Sequence, residues 1–335
     1  MKKVALITGI SGQDGSYLAE FLLDKEYEVH GIIRRTSISK LDRIEHLINN
    51  SDTSKNVILH SAEVCDAQSL TSVLYEVKPQ EIYNLAGQSE VGVSFSQPAY
   101  TADVTGLSTL RLLEAMRQLG LKSHFCQAGS SELLGQVSEM PQNENTKFNP
   151  VNPYAVAKNF AHSMTTCYRN SYGMFASNGI LFSHESPRRG ENFVCKKISK
   201  AAARIKLGIQ NVLYLGNLDA KRDWGYAKDY VEAMWLILQH EKPDDFVIAS
   251  GEAHSVKDFL DEAFGLLNLE WREFVKIDQR YMRPQEAQYL CGDYSKARKI
   301  LGWQPATKWK DLVRIMVEAD LEEEKFRKNR ERHPL

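Results

Sequence analysis

The chain is predicted to be an α/β protein, a doubly wound parallel sheet followed by a smaller C-terminal α/β lobe that binds substrate. Three observations predict it. A glycine turn, Gly9-Ile-Ser-Gly12-Gln-Asp-Gly15, stands between an apolar strand and a helical pattern. Strand-like and helix-like segments then alternate through the first half of the chain. Beyond Phe182 polar loops separate shorter elements, as expected of a lobe that closes over a ligand.

Taken in order, Val4–Thr8 reads as a buried strand, and Tyr17, Leu18, Phe21 and Leu22 follow at helical spacing. Tyr27–Ile33 is a second strand, so strand, glycine turn, helix and strand form one dinucleotide-binding unit, Rossmann-like in kind. Val57–His60 and Glu81–Leu85 read as strands around a helix over Ala67–Val77. The helix Thr105–Leu119 precedes a strand over Ser123–Ala128, and another helix begins near Tyr154. In the lobe, Pro187-Arg-Arg-Gly190, the segment from Gly216 to Asp223, and Arg283-Pro-Gln-Glu286 are loop-like. The tail, Trp309–Arg332, is a charged amphipathic helix with Leu312, Ile315, Met316 and Ala319 expected to face inward.

Composition narrows the function classes. With 335 residues, 43% hydrophobic and 25% charged, the chain can bury a substantial core. A formal net charge of −1 gives no bulk reason to expect nucleic acid or membrane binding. Five dispersed cysteines include no CxxC and no His at ligand spacing, so neither a metal site nor a disulfide framework is expected. The apolar run before Thr8-Gly9 is too short for a signal peptide and no run is long enough to span a bilayer, so a cytoplasmic location is expected.

The glycines Gly9, Gly12 and Gly15 let backbone approach a pyrophosphate, whose charge the N–H groups at a helix start favour. An NAD site usually carries an acid at the end of the second strand. Here stands Ile33-Arg34-Arg35-Thr36-Ser37, whose forked donors suit the 2′-phosphate of NADP.

Tyr154 and Lys158 are four apart and share a helix face. An ammonium beside the phenol and the positive ring of a bound nicotinamide are expected together to lower its pKa and make it a useful base. Ser130 and Glu132 follow the Ser123–Ala128 strand, at the sheet edge where such folds bind ligands; if the chain stays extended, they point the same way. By position alone, Glu132 fits a helix-cap or salt-bridge carboxylate as well as an acid/base.

These residues, with Tyr83-Asn-Leu-Ala-Gly-Gln-Ser, Ser131-Glu-Leu-Leu-Gly, His184-Glu-Ser-Pro-Arg-Arg-Gly-Glu-Asn-Phe-Val and Leu218-Asp-Ala-Lys-Arg-Asp-Trp-Gly, closely resemble the GDP-mannose 4,6-dehydratase family of extended short-chain dehydrogenases/reductases. The resemblance implies that Tyr154, Lys158 and Ser130 oxidise the sugar at C4, and that Glu132 takes the C5 proton and expels the C6 hydroxyl as water. It implies an NADP site of Gly9, Gly12, Gln13, Asp14, Gly15, Arg34, Arg35, Ser37, Glu63, Leu85, Ala86, Gln88, Tyr154, Lys158, His184 and Arg189. Asn192, Lys197 and Arg222 would hold the substrate pyrophosphate; Val194, Asn217 and Lys221 the guanine; Arg283 and Glu286 the nucleoside ribose or phosphate. Ser89, Ser183 and Glu185 would stand near the sugar, with Ser130 and Glu132.

Residues 1–180 are then expected to bind NADP, with segments near 218–250 returning to that domain, and residues 181–335 mainly to form the GDP-sugar lobe. The family also implies a homodimer or homotetramer, and the Arg35–Arg43 segment is long enough to reach a neighbour's cofactor. The chain departs from the family pattern at Ser130 (usually Thr), Leu134 (Tyr), Ser183 (Asn), Asn152 (Ser), Gly87 (Ala) and Ala62-Glu63 (Gly-Asp). Lost volume at 87, 134 and 183 would admit a GDP-manno-heptose or another GDP-sugar if all three border the sugar. A 4-keto reductase or epimerase, and a non-catalytic NADP-binding protein, are the other readings of this fold.

Overall fold

The computed structural model describes residues 2–37, 40–136 and 139–332; Ile38 and Ser39, within the Arg35–Arg43 segment, lie outside the described residues. The strands in chain order are β1 (Val4–Thr8), β2 (Glu28–Ile33), β3 (Val57–Ser61), β4 (Glu81–Asn84), β5 (His124–Ala128), β6 (Ala176–Leu181) and β7 (Ser183–Glu185). They continue with β8 (Leu213–Leu215), β9 (Lys221–Tyr226), β10 (Asp245–Ile248), β11 (Ala253–Ser255), β12 (Val275–Ile277) and β13 (Tyr289–Leu290). The helices are α1 (Gln13–Asp24), α2 (Glu45–Ile48), α3 (Ala67–Val77), α4 (Val91–Ser96), α5 (Pro98–Thr101), α6 (Ser108–Gln118) and α7 (Pro153–Tyr172). After them come α8 (Val194–Lys206), α9 (Ala227–Gln239), α10 (Val256–Gly265), α11 (Ser295–Leu301) and α12 (Trp309–Arg332).

The main sheet has seven parallel strands in the order β10-β6-β5-β4-β1-β2-β3. Alternate side chains of each strand serve opposite faces. Ala5 and Ile7 pack with Leu18 and Leu22 of α1 and Met234 and Ile237 of α9. Leu6 packs the other way, with Leu70 and Leu74 of α3 and Leu112 and Met116 of α6. Burial on both faces is why these strands read as near-continuous apolar runs. The chain order reverses between β1 and β4, opening a crevice at their carboxyl ends. There the Thr8 hydroxyl donates to Asn84 Oδ1 (2.7 Å) and accepts from the Leu85 and Ala86 amides (3.0 Å each), pinning the two strand ends.

A second sheet runs β11-β9-β13, with β7 also on β9, and α8, α10 and α12 form a separate apolar core. The tail helix spans the expected residues, but its inward stripe is Leu312, Val313, Met316, Val317 and Asp320, while Ile315 and Ala319 are only half-buried. The buried Asp320 carboxylate meets Lys196 Nζ and the Ser199 hydroxyl of α8, so one face expected to be solvated is instead a buried ionic seam. The helix expected over Thr105–Leu119 is α6 preceded by a π-helical turn, Ala102–Leu107. Apolar spacing alone does not distinguish such a turn from a regular one.

Candidate active site

Gly9 opens the β1–α1 turn at φ +73°, a backbone state that favours glycine. A Cβ on Gly15 would stand 2.6 Å from Ile10 Cα, so α1 approaches the turn as closely as it does only because that side chain is absent. The turn lines one end of a cleft of about 950 Å³, which runs across the carboxyl ends of β1, β4 and β5 to the lobe. Gln13, Asp14, Arg34, Glu63, Leu85 and Ala86 line the same end.

Asp14 meets His184 Nε2 through Oδ2 at 2.9 Å, and His184 Nδ1 lies 2.7 Å from Phe182 O. Burial pushes the Asp14 carboxyl up, but the imidazole beside it outweighs that and takes it down to about 2. Burial lowers His184, and the Asp14 charge outweighs this to leave the ring raised. The Ser186 hydroxyl donates to Gln13 Oε1 (2.8 Å), so the first turn of α1 is bolted to β7 and the segment after it.

At the end of β5, Ser130 keeps an extended backbone, but Ser131–Leu133 winds into a 3₁₀ turn. Ser130 Oγ caps that turn by accepting from the Glu132 amide (3.2 Å). The expected extended register across these residues is therefore broken by the serine's own cap, yet both side chains line the cleft. α7 starts with Asn152 as N-cap and Pro153 in its first turn, and ends at Gly173. Tyr154 and Lys158 share its cleft face.

Lys158 alone does not lower Tyr154. Burial pushes the phenol up to about 12, although the Ser130 hydroxyl pulls it down. Lys158 Nζ stands 5.9 Å from the Tyr154 ring centroid and donates instead to Ala128 O at 2.6 Å. Burial takes Lys158 itself down to about 8.

Glu132 is nearly enclosed, 9% exposed, with a different partner at each oxygen. Asn152 Nδ2 donates to Oε2 at 3.0 Å, and Arg222 Nε lies 3.7 Å from Oε1. Arg222, lowered by burial, also reaches Glu286 (3.4 Å), which accepts from Arg283 (2.8 Å) and Asn217 (3.1 Å). Glu185 is pushed up by burial against the opposing pull of Arg189, whose Nε is 3.3 Å away. Lys197 Nζ lies 3.4 Å from the Tyr281 ring centroid, and Asn192 Nδ2 donates to Glu90 (3.4 Å). Ser89, Ser183 and Val194 line the cleft with these residues.

Four expected site residues lie outside the cleft lining. Lys221 and Arg222 are neighbours on β9, so their side chains leave opposite faces, and the exposed Lys221 turns away from the lining to which Arg222 belongs. Gln88 spends its amide on the loop, donating to Glu90 O (3.0 Å) and accepting from Thr101 Oγ1 (3.3 Å). Arg35 and Ser37 are exposed past the end of β2. Leu134, expected to widen the pocket if it bordered the sugar, is fully buried against Ile180, Phe182 and Val247. Gly87 and Ser183 do line the cleft.

Sequence reasoning passed over Lys40 and Arg43, which line the cleft beside Arg34. Arg43 Nε donates to Arg188 O (2.8 Å), and its Nη1 to Ser11 O (3.4 Å). The run of cations from Arg34 to Arg43 was the available signal. Tyr100, whose hydroxyl accepts from Arg34 Nη1 (3.1 Å), carried none.

A seven-stranded parallel sheet with a ligand cleft at its switch point defines a Rossmann-type fold of the kind found in sugar-nucleotide dehydratases and epimerases. A dTDP-glucose 4,6-dehydratase from Bacillus anthracis superposes with a TM-score of 0.82 at 18% identity, covering 98% of each chain. RMD from Pseudomonas aeruginosa, solved with NADPH, superposes at 0.78 with 24% identity, covering 96% of this chain and 100% of its own. At such identities the likeness concerns the fold alone. The family described as GDP-mannose 4,6 dehydratase matches residues 6–316. GDP-mannose 4,6 dehydratase 2 of Arabidopsis thaliana is 56% identical over 327 residues, spanning 96% of this chain and 87% of that protein. The Homo sapiens GDP-mannose 4,6 dehydratase is 51% identical over 342 residues, spanning 96% and 92%. The chain belongs to the GDP-mannose 4,6-dehydratase family, a family of hydro-lyase enzymes.

Proposed function

We propose that the protein is an NADP-dependent GDP-sugar 4,6-dehydratase that converts GDP-mannose to GDP-4-keto-6-deoxymannose. The observation that carries this reading is Glu132, a carboxylate set into the same cleft as Ser130, Tyr154 and Lys158 in a chain of this family. A reductase or epimerase needs the last three; removal of water needs the carboxylate as well.

The residues fit a phosphorylated dinucleotide. A Cβ on Gly12 would sit 3.1 Å from Gly9 O, so the glycine turn leaves its backbone bare for a pyrophosphate. Arg34, Lys40 and Arg43 line that end of the cleft, which favours a 2′-phosphate and hence NADP. When bound, the nicotinamide would supply a hydride acceptor for C4 and a hydride donor for C6, and its positive ring would lower the nearby phenol.

Tyr154 then takes the C4 hydroxyl proton, with the Ser130 hydroxyl holding the same oxygen. The C4 ketone acidifies the C5 proton, which Glu132 removes. Glu132 hands that proton to the C6 hydroxyl, which leaves as water; as hydride reaches C6 a proton returns to C5 through Glu132, in balance with the one Tyr154 took. Arg222, Asn192 and Lys197 hold the substrate diphosphate, and Asn217, Arg283 and Glu286 meet the nucleoside. Residues 1–180 mainly carry NADP and residues 181–335 mainly the GDP-sugar. Self-association into a dimer or tetramer is supported by Leu107 (39% exposed), Val156 (55%) and Phe160 (37%), which form an apolar outer face. Among the described residues no helix is long and apolar enough to cross a membrane.

Incubation with GDP-mannose should yield a 4-keto sugar without net consumption of added NADPH, because the hydride returns to the substrate. A 4-keto reductase would leave GDP-mannose unchanged and consume NADPH only with a GDP-4-keto-6-deoxy sugar, an epimerase would return a C4 epimer with no ketone, and a non-catalytic protein would turn over neither sugar. Cofactor released by denaturation should be NADP(H). GDP-manno-heptose should be the poorer substrate, since Leu134 contributes no room to the cleft.

A further inference from the structure

We propose that Asn152 is a positioning residue that holds the Glu132 carboxylate in register with the helix carrying Tyr154. The inference rests on the reading of Glu132 as the acid/base of water elimination.

The geometry divides the two ends of one side-chain amide between two tasks. Asn152 Oδ1 accepts from the Ala155 amide at 2.8 Å and caps α7. Asn152 Nδ2 donates to Glu132 Oε2 at 3.0 Å. Asn152 is 4% exposed, so water has little access to compete for either bond. A capping residue needs only an acceptor, and Ser or Asp would serve α7 about as well. The donor end is surplus to the cap.

That donor has a chemical consequence. Glu132 sits in a 3₁₀ turn after β5, while Tyr154 lies two residues beyond Asn152 at the start of α7. The proton removed at C5 and the proton removed at C4 come from adjacent sugar carbons, so the two bases must keep a fixed separation. Asn152 joins them through one planar group. Arg222 and Tyr154 face the same carboxylate and are untouched by changes at 152.

Two variants separate cap from positioning. Asn152→Gly keeps most of the cap and removes the donor. It should keep a melting temperature close to wild type and NADP binding, oxidise C4 normally, and lose about ten- to a hundredfold in water elimination and in solvent deuterium uptake at C5. Asn152→Ser retains both a cap and a hydroxyl that can donate to Glu132, so it should restore most of the elimination rate.

Elimination at the wild-type rate in Asn152→Gly would overturn the proposal. So would an equal loss in C4 oxidation and elimination, which marks a general structural role, or elimination as slow in Asn152→Ser as in Asn152→Gly. Glu132→Gln run alongside keeps the two readings apart. If it eliminates water normally, the role of Glu132 fails; if it does not while Asn152→Gly does, only the role of Asn152 fails.

Discussion

Replacing Asp14 by Asn tests whether the bolt between α1 and β7 stabilises the nucleotide end of the cleft. Asp14 drops from 3.8 to about 2 because His184, 2.9 Å away, outweighs the effect of burial. At 1.36 kcal/mol per unit, that depression is worth roughly 2 kcal/mol to folding once the pH is well above the unfolded carboxyl's value. The contribution is lost as pH falls from about 4 toward 2, where the folded carboxyl also takes its proton. His184 moves the opposite way. Its raised pKa adds stability that is fully present below 6.5 and fades as pH rises through the folded value. The Asp14→Asn protein should therefore trail wild type by roughly 2 kcal/mol in urea denaturation between about pH 4 and 6.5, with the gap closing on both sides. A gap that stays constant from pH 2 to 9 would refute the assignment, because an uncharged packing defect has no reason to titrate.

Three other outcomes follow from the site and the lobe. Glu132→Gln should lower overall turnover by about 10²–10⁴-fold while still oxidising C4, so that reduced cofactor and a 4-keto hexose accumulate; undiminished dehydration would refute its role. The rate constant kcat/KM should fall above an apparent pKa near 8, where Lys158 loses its proton, and Lys158→Met should abolish that limb; a wild-type profile flat from pH 7 to 10 would contradict it. Asp320→Asn should destabilise the lobe by about 3–5 kcal/mol, because Lys196 would be left as a buried cation; a melting temperature within a degree of wild type would show that the seam contributes little.

The parts of the fold that were legible are those encoded by local pattern. β1, α3 and α12 have the expected bounds, and β2, β3, β4 and β5 fall within a residue of them, since buried parallel strands and amphipathic helices declare their period in a few residues. Misreadings occurred where a residue answers to something distant. Asp320 looked solvated until α12 lay on Lys196, more than a hundred residues earlier in the chain. Lys221 was expected beside the guanine, but β9 turns it away from the cleft that Arg222, its neighbour, lines. Gln88 looked like a ligand residue, but Thr101 and Glu90 O use its amide.

The amino-acid sequence by itself determined the parallel α/β plan, the glycine turn, the cationic segment after β2 and the presence of Ser130, Glu132, Tyr154 and Lys158. Each is set by residue identity, or by spacing along a single element. Only the tertiary structure decided how those groups are charged and held. It buried Tyr154 and so raised its phenol, tied Lys158 to Ala128 O, and gave Glu132 one partner from the cap of α7 and another from β9. Burial and cross-chain pairing set a proton's affinity, and neither exists until the chain has folded.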